Sequence, residues 1–275
     1  MRRPALAALV FVSLTAAAAP VCEVVAATDA NTAAASMPAT AALRDLESRI
    51  EYGYYTEDGN ALETLARETA RSAAQGPDEP TARNGLRSYY SALADYRLAL
   101  LELGKADGRA RADADQCVSS LDHTLDTAGL SNSASAESLA LQSACLALLS
   151  DLGSWRAPFS GARSKSQMHK ALKLAPANPR VLLLDAVGAV AGTPDGAARE
   201  VSLGKLRKAI AALEGERQQV VHAPSWGLAD AYARLGRLYL EKGDTVAARD
   251  ALERALLTAP QFRQARRMMT KITIG

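Results

Sequence analysis

From residue 41 onward, the apolar residues of this 275-residue chain return every three or four positions, in stretches cut by Gly, Pro, Asn or Asp. That period lays an apolar stripe along a helix, and strand-like alternation carries no conviction anywhere. The composition agrees: 58 Ala and 37 Leu stand against 13 Val and 4 Ile. So few β-branched residues exclude an all-β fold and argue against a sizeable α/β domain. A hydrophobic content of 48% and a net charge of +2 argue against a disordered chain. Helices are expected over about 41–53, 58–74, 80–104, 108–127, 134–152, 161–174, 178–191, 199–214, 225–242, 244–258 and 261–272. Asn178 before Pro179 and Ser225 before Trp226 read as helix starts, and Gly104, Gly129, Gly153 and Gly243 as stops. The expectation is an all-α, antiparallel helix-hairpin array of about eleven helices, roughly five hairpins and a cap.

A repeat is legible within the pattern. Residues 229–260 read ADAYARLGRLYLEKGDTVAARDALERALLTAP. Leu235-Gly236 and Tyr239 on a first helix, Gly243-Asp244 at a turn, and Ala248, Leu252, Ala255 and Pro260 on a second resemble the tetratricopeptide repeat (TPR) at nine mutually spaced positions. Gly236 and Ala248 are small enough to let two helices approach, Tyr239 and Leu252 fill between them, and Pro260 ends the unit. Weaker copies are read over about 134–176 and 178–214. Arg263, Arg266, Arg267 and Lys271 mark 261–273 as a solvating cap. Residues 41–128 are helical pairs without the signature, preceded by a lead-in at 28–40, so that 129–275 holds the repeats. The C-terminal half is similar to bacterial envelope proteins of this repeat class. The resemblance implies an α-solenoid whose first helices line a concave peptide groove. In this sequence that groove would present Arg180, Leu183, Val187, Asp230, Ala233, Arg237, Leu240 and Glu241. Ala233 and Arg237 stand where the family's tail-carboxylate clamp uses Lys and Asn, so binding of chaperone tails is not implied.

The first residues read as an export signal. Arg2 and Arg3 precede an uncharged run from Ala5 to Ala19, too short to span a membrane comfortably. Val25-Ala26-Ala27 is the best cleavage context, giving a signal peptide over 1–27 and a periplasmic or secreted protein with no transmembrane segment. Val21 before Cys22 is larger than the small residue a lipobox requires, which argues against lipidation. The remaining Cys117 and Cys145 each lie 14 residues from a turn centred near 131, hence at equal height on two antiparallel helices. A disulfide fits that geometry, and so do two small buried apolar residues.

Signals for chemistry are sparse. His123, His169 and His222 have no partners at ligand spacing, so no metal and no cofactor is expected. Phosphate-cradling and nucleophile motifs are missing from the sequence, and an enzyme is the least favoured reading. Tyr52, Tyr54, Tyr55 and Tyr89, Tyr90, Tyr96 form two clusters that either face a ligand or pack between helices, packing being favoured. Residues 28–150 hold 10 Lys+Arg and 18 Asp+Glu, a balance of −8. Residues 151–275 hold 20 and 11, a balance of +9. The asymmetry reads either as drift in solvated faces or, more sharply, as a basic half that receives an acidic peptide, a lipid headgroup or a cell-wall anion, or as chains that associate head to tail. Nucleic acid is not an expected partner. The reading is a non-enzymatic scaffold binding a protein or peptide in its groove, with an accessory protein for a small solute or envelope polymer as the alternative.

Overall fold

In a computed structural model, the described residues are 41–74, 81–126, 130–153, 157–189, 196–217 and 224–274. The signal sequence at 1–27, the lead-in at 28–40, the expected stop at Gly129 and His222 lie outside them. Every regular element among the described residues is a helix: α1 at 41–55, α2 Gly59–Ala74, α3 Thr81–Glu102, α4 Asp107–Leu125, α5 Asn132–Asp151, α6 Ala157–Leu174, α7 Pro179–Gly188, α8 Gly196–Arg217, α9 Leu228–Lys242, α10 Thr245–Thr258 and α11 Arg263–Ile274. None is long and apolar enough to cross a membrane. Helices next to one another in sequence pack as antiparallel pairs, α3 on α4, α5 on α6, α7 on α8 and α9 on α10. Alternate helices touch as well, α3 with α5, α5 with α7 and α9 with α11, which stacks the pairs into an array.

The expected punctuation holds at most ends. Asn178 Oδ1 accepts from the backbone N–H groups of Arg180 and Val181 at 3.0 and 3.2 Å, with Pro179 in the first turn. Asp244 accepts from Ala247 N at 3.0 Å to open α10. The α9–α10 pair shows why position 236 is glycine: a Cβ there would lie 2.7 Å from Leu252 Cγ. Ser225 does not start α9, which begins at Leu228 behind Gly227. Residues 225–227 run instead to α1, where Ser225 N and Oγ donate to the Glu47 carboxylate at 3.0 and 2.6 Å. Gly227 makes that bend with φ of +113°, and a Cβ on it would strike Leu183 at 2.8 Å.

Sequence order does not place α1. Besides Ser225, it reaches α9 through Tyr55 Oη, which donates to Asp230 at 3.0 Å, and Tyr54 and Tyr55 pack on Phe262 just before α11. At the turn after α1, Glu57 pairs with Arg267 of α11. The start of the described array is therefore joined to its end. The pattern of paired helices was legible from the periodicity; this closure was not.

Cys117 of α4 and Cys145 of α5 form a disulfide between fully buried positions, with Cα atoms 6.4 Å apart. Of the two readings of the sequence, the structure has the bridge, set in an apolar surround. Reducing it, or replacing both by Ser, is expected to cost about 2–4 kcal/mol, read as a lower urea midpoint. Two free thiols in the denatured, unreduced protein would exclude the bridge.

Candidate binding cavity

Arg97 of α3 is 1% exposed and sits where α1, α3 and α9 meet. Its Nε and Nη2 donate to Glu51 at 2.8–3.0 Å, and its Nη1 and Nη2 donate to Asp230 at 3.1 and 2.7 Å. The guanidinium lies 4.2 Å from the centre of the Tyr54 ring and 5.2 Å from that of Trp226. Burial works against its charge, yet Asp230 and Glu51 hold its pKa well above the ordinary value. Burial pushes Glu51 up to about 7 against the pull of Arg97, with Asp230 adding to the rise. Tyr54 is raised to about 12 by burial and by Asp230. Nearby, Trp226 Nε1 donates to Tyr89 Oη at 2.9 Å and Tyr90 Oη donates to Glu47 at 2.8 Å, so the polar atoms here find partners within the fold.

Beside this cluster lies a cavity of about 870 Å³. Tyr54, Tyr96, Leu100 and Leu101 from α1 and α3 form one wall. The floor comes from Ala144, Ala147 and Leu148 of α5, Met168 and Leu172 of α6, and Leu184 and Val187 of α7. Asp230, Ala233, Arg234 and Arg237 of α9, with Phe262 and Met268, close the far side. Lys105, Lys165, His169 and Arg267 stand exposed at its rim, so the space opens to solvent.

Four of the eight groove candidates, Val187, Asp230, Ala233 and Arg237, are brought together on this lining. Asp230, however, is committed to Arg97 and Tyr55, and the other four point elsewhere. Arg180 is 3% exposed, ion-paired with Glu137 at 3.0 Å and with Glu216, because the N-terminal turn of α7 is buried against α5 and α8. That corrects its reading as a cation waiting for an acidic partner. Leu183 is 1% exposed and packs under Gly227, so it is core. Leu240 packs partly buried on the core, and Glu241 lies 3.5 Å from Arg237 one turn back, an exposed pair on α9. Of the tyrosines, Tyr52 is exposed, Tyr55, Tyr89 and Tyr90 are buried in packing, and only Tyr54 and Tyr96 reach the cavity. Apart from Tyr96 and His169, the cavity residues on α3, α5 and α6 were missed because no local motif marks them. Only the closing contacts of α1 show that these helices share a wall with α9.

No protein-family model matches the chain, and no curated protein matches it at significance.

A separate carboxyl pair lies between α3 and α4. Burial, reinforced by Asp113, lifts Asp95 to about 8, and burial with Glu102 and Glu63 lifts Asp113 to about 6. The Asp95 Oδ2 atom has no hydrogen-bond partner. Between about pH 4 and 8 the folded state keeps a proton on Asp95 that the unfolded chain has lost, so stability falls as pH rises through that window. Asp95→Asn is expected to flatten this slope and to stabilise the protein at pH 8.5 by on the order of 1–3 kcal/mol, with little change at pH 4. Urea unfolding at several pH values reads it, and an unaltered slope would refute the assignment. At the central cluster, Arg97→Met leaves Glu51 and Asp230 without their shared cation. A loss of about 3–5 kcal/mol is expected at pH 8, and a smaller one at pH 5 where Glu51 takes up a proton.

Proposed function

We propose that this chain is a non-enzymatic, TPR-like binding protein of an oxidising extracytoplasmic compartment that holds a small ligand in the cavity its helix array encloses. The observation that carries the reading is the cavity itself. Its volume of about 870 Å³ falls in the range of pockets that take small molecules, about 300–1,000 Å³. Its lining joins an aliphatic surface from α3, α5, α6 and α7 to ten charged side chains, so it offers both an apolar wall and polar groups to orient a ligand. The close α9–α10 approach at Gly236 and the paired stacking of helices support the repeat assignment. The Cys117–Cys145 bridge, with the signal-like start of the sequence, supports the compartment.

A peptide laid along an open concave face is the reading the sequence favours. Against it, the Asp230 position of that face is filled by Arg97 and Tyr55, and α1 occupies the space in front of α9. What remains is the cavity, which favours the solute reading over an extended peptide. A short segment of a protein partner, entering over the exposed rim, is the second reading, and the basic residues of that rim favour it.

A thermal-shift screen of sugars, amino acids, aliphatic acids and short peptides tests this against Ala147→Phe, which fills the floor. A ligand at a hundred times its Kd stabilises the fold by about 2.7 kcal/mol, or roughly 5–10 °C in Tm for a chain of this size. That shift is expected in the wild type and lost in Ala147→Phe. Ligands that shift both proteins equally would place binding outside the cavity.

A further inference from the structure

We infer that the cavity ligand is an amphipathic anion, a linear aliphatic chain ending in a carboxylate, with its head at Arg234 and Arg237 and its tail on the α5–α7 floor. The inference rests on the cavity being the binding site, as proposed above, and specifies the chemistry of its occupant.

The first observation is an uncompensated charge. Of the four acidic residues on the lining, Asp230 is bound to Arg97, Glu57 to Arg267 and Asp185 to Lys205 at 2.9 Å, which leaves the exposed Asp151 as the one carboxylate without an ion pair among the described residues. Lys105, Lys165 and Arg234 line the same space with no carboxylate within 4.0 Å among the described residues. Arg237 has only Glu241 at 3.5 Å, and both side chains of that pair are more than 40% exposed. Partial burial and the like charge of Arg234 push the Arg237 pKa below its ordinary value, so cations are crowded here. Arg234 and Arg237 lie one turn apart on α9 and both line the cavity with Tyr54 of α1, which puts two guanidinium groups at its α1–α9 end. An anion at that end relieves the repulsion and gains charge-assisted hydrogen bonds.

The second observation concerns the rest of the lining. Leu100, Leu101, Leu148, Leu172, Leu184 and Met168 form an aliphatic and thioether surface, which accepts a flexible methylene chain without demanding one shape. An extended peptide needs partners for its own N–H and C=O groups once buried. The described lining has Gln264 as its only side-chain amide, and its Ser143 and Ser164 hydroxyls are already bonded to each other. An acyl chain has no such groups to satisfy. Acyl anions reach a protein as free acids or as lipid tails; the carboxylate head distinguishes the first.

Calorimetric titration tests this with dodecanoate, dodecanol, dodecyltrimethylammonium and a short acidic peptide, each below its aggregation limit. Dodecanoate is expected to bind one to a chain and to weaken as salt rises. Dodecanol and the ammonium should bind at least tenfold more weakly, a difference of about 1.4 kcal/mol or more. The Arg234→Ala/Arg237→Ala variant should lose at least tenfold for dodecanoate alone. Arg237→Gln, a change at an exposed side chain, serves the same purpose if the double variant does not fold by circular dichroism. Equal affinity for dodecanoate and dodecanol, or undiminished affinity in the charge variants, overturns the anion head. Tighter binding of the acidic peptide than of dodecanoate overturns the aliphatic tail. In each of these cases sensitivity to Ala147→Phe leaves the cavity standing as the site. If no probe is sensitive to that variant, both the ligand class and the site are refuted.

Discussion

The fold turns on one guanidinium held between two carboxylates that are far apart in sequence. Glu51 and Asp230 both lie on Arg97, and without that cation they would be two buried like charges within reach of each other. The pair of bonds does more than neutralise charge. It fixes α1 and α9 to the same side of α3, and Tyr55, Trp226 and Phe262 then find their packing partners around it. Replacing such a cluster with apolar residues often costs a protein little in stability. Here its directional bonds fix where the ends of the array meet, which apolar contacts alone do not specify.

Helices and their ends were largely written in local sequence. The apolar period, Asn178-Pro179 and Gly243-Asp244 each act within a few residues, and the structure follows them. Ser225 shows where that reasoning stops. It has the composition of a helix cap, but Glu47, far away in sequence, takes its N–H and hydroxyl instead. Arg180 fails in the same way. As a sequence it is a free cation on a repeat helix, yet the fold buries it between Glu137 and Glu216. Val187, Ala233 and Arg237 were found because the repeat register marks one face of a helix, and a register is local. Leu100, Leu148 and Met168 carry no register of their own, and only tertiary closure brings them to the same space.

The opposition of an acidic first half and a basic second half also resolves partly within the molecule. Asp122 pairs with Arg163 at 2.5 Å, Glu137 with Arg180, and Glu57 with Arg267. Each pair crosses from one half to the other. The asymmetry thus favours the correct stacking of early helices on late ones. Most of these pairs are exposed enough for solvent to screen them, so their effect lies in register more than in stability.

The joining of α1 to α9 and α11 has a consequence for how this architecture can vary. An open stack of helix pairs tolerates a unit added or lost at either end, since each pair touches only its neighbours. In this chain the first helix and the last are neighbours. Inserting one pair between α3 and α9 would move Glu51 and Tyr55 away from Asp230, and Glu57 away from Arg267, all at once. The repeat number is therefore set by the circumference of the closed form, and change is confined to the loops and the convex face.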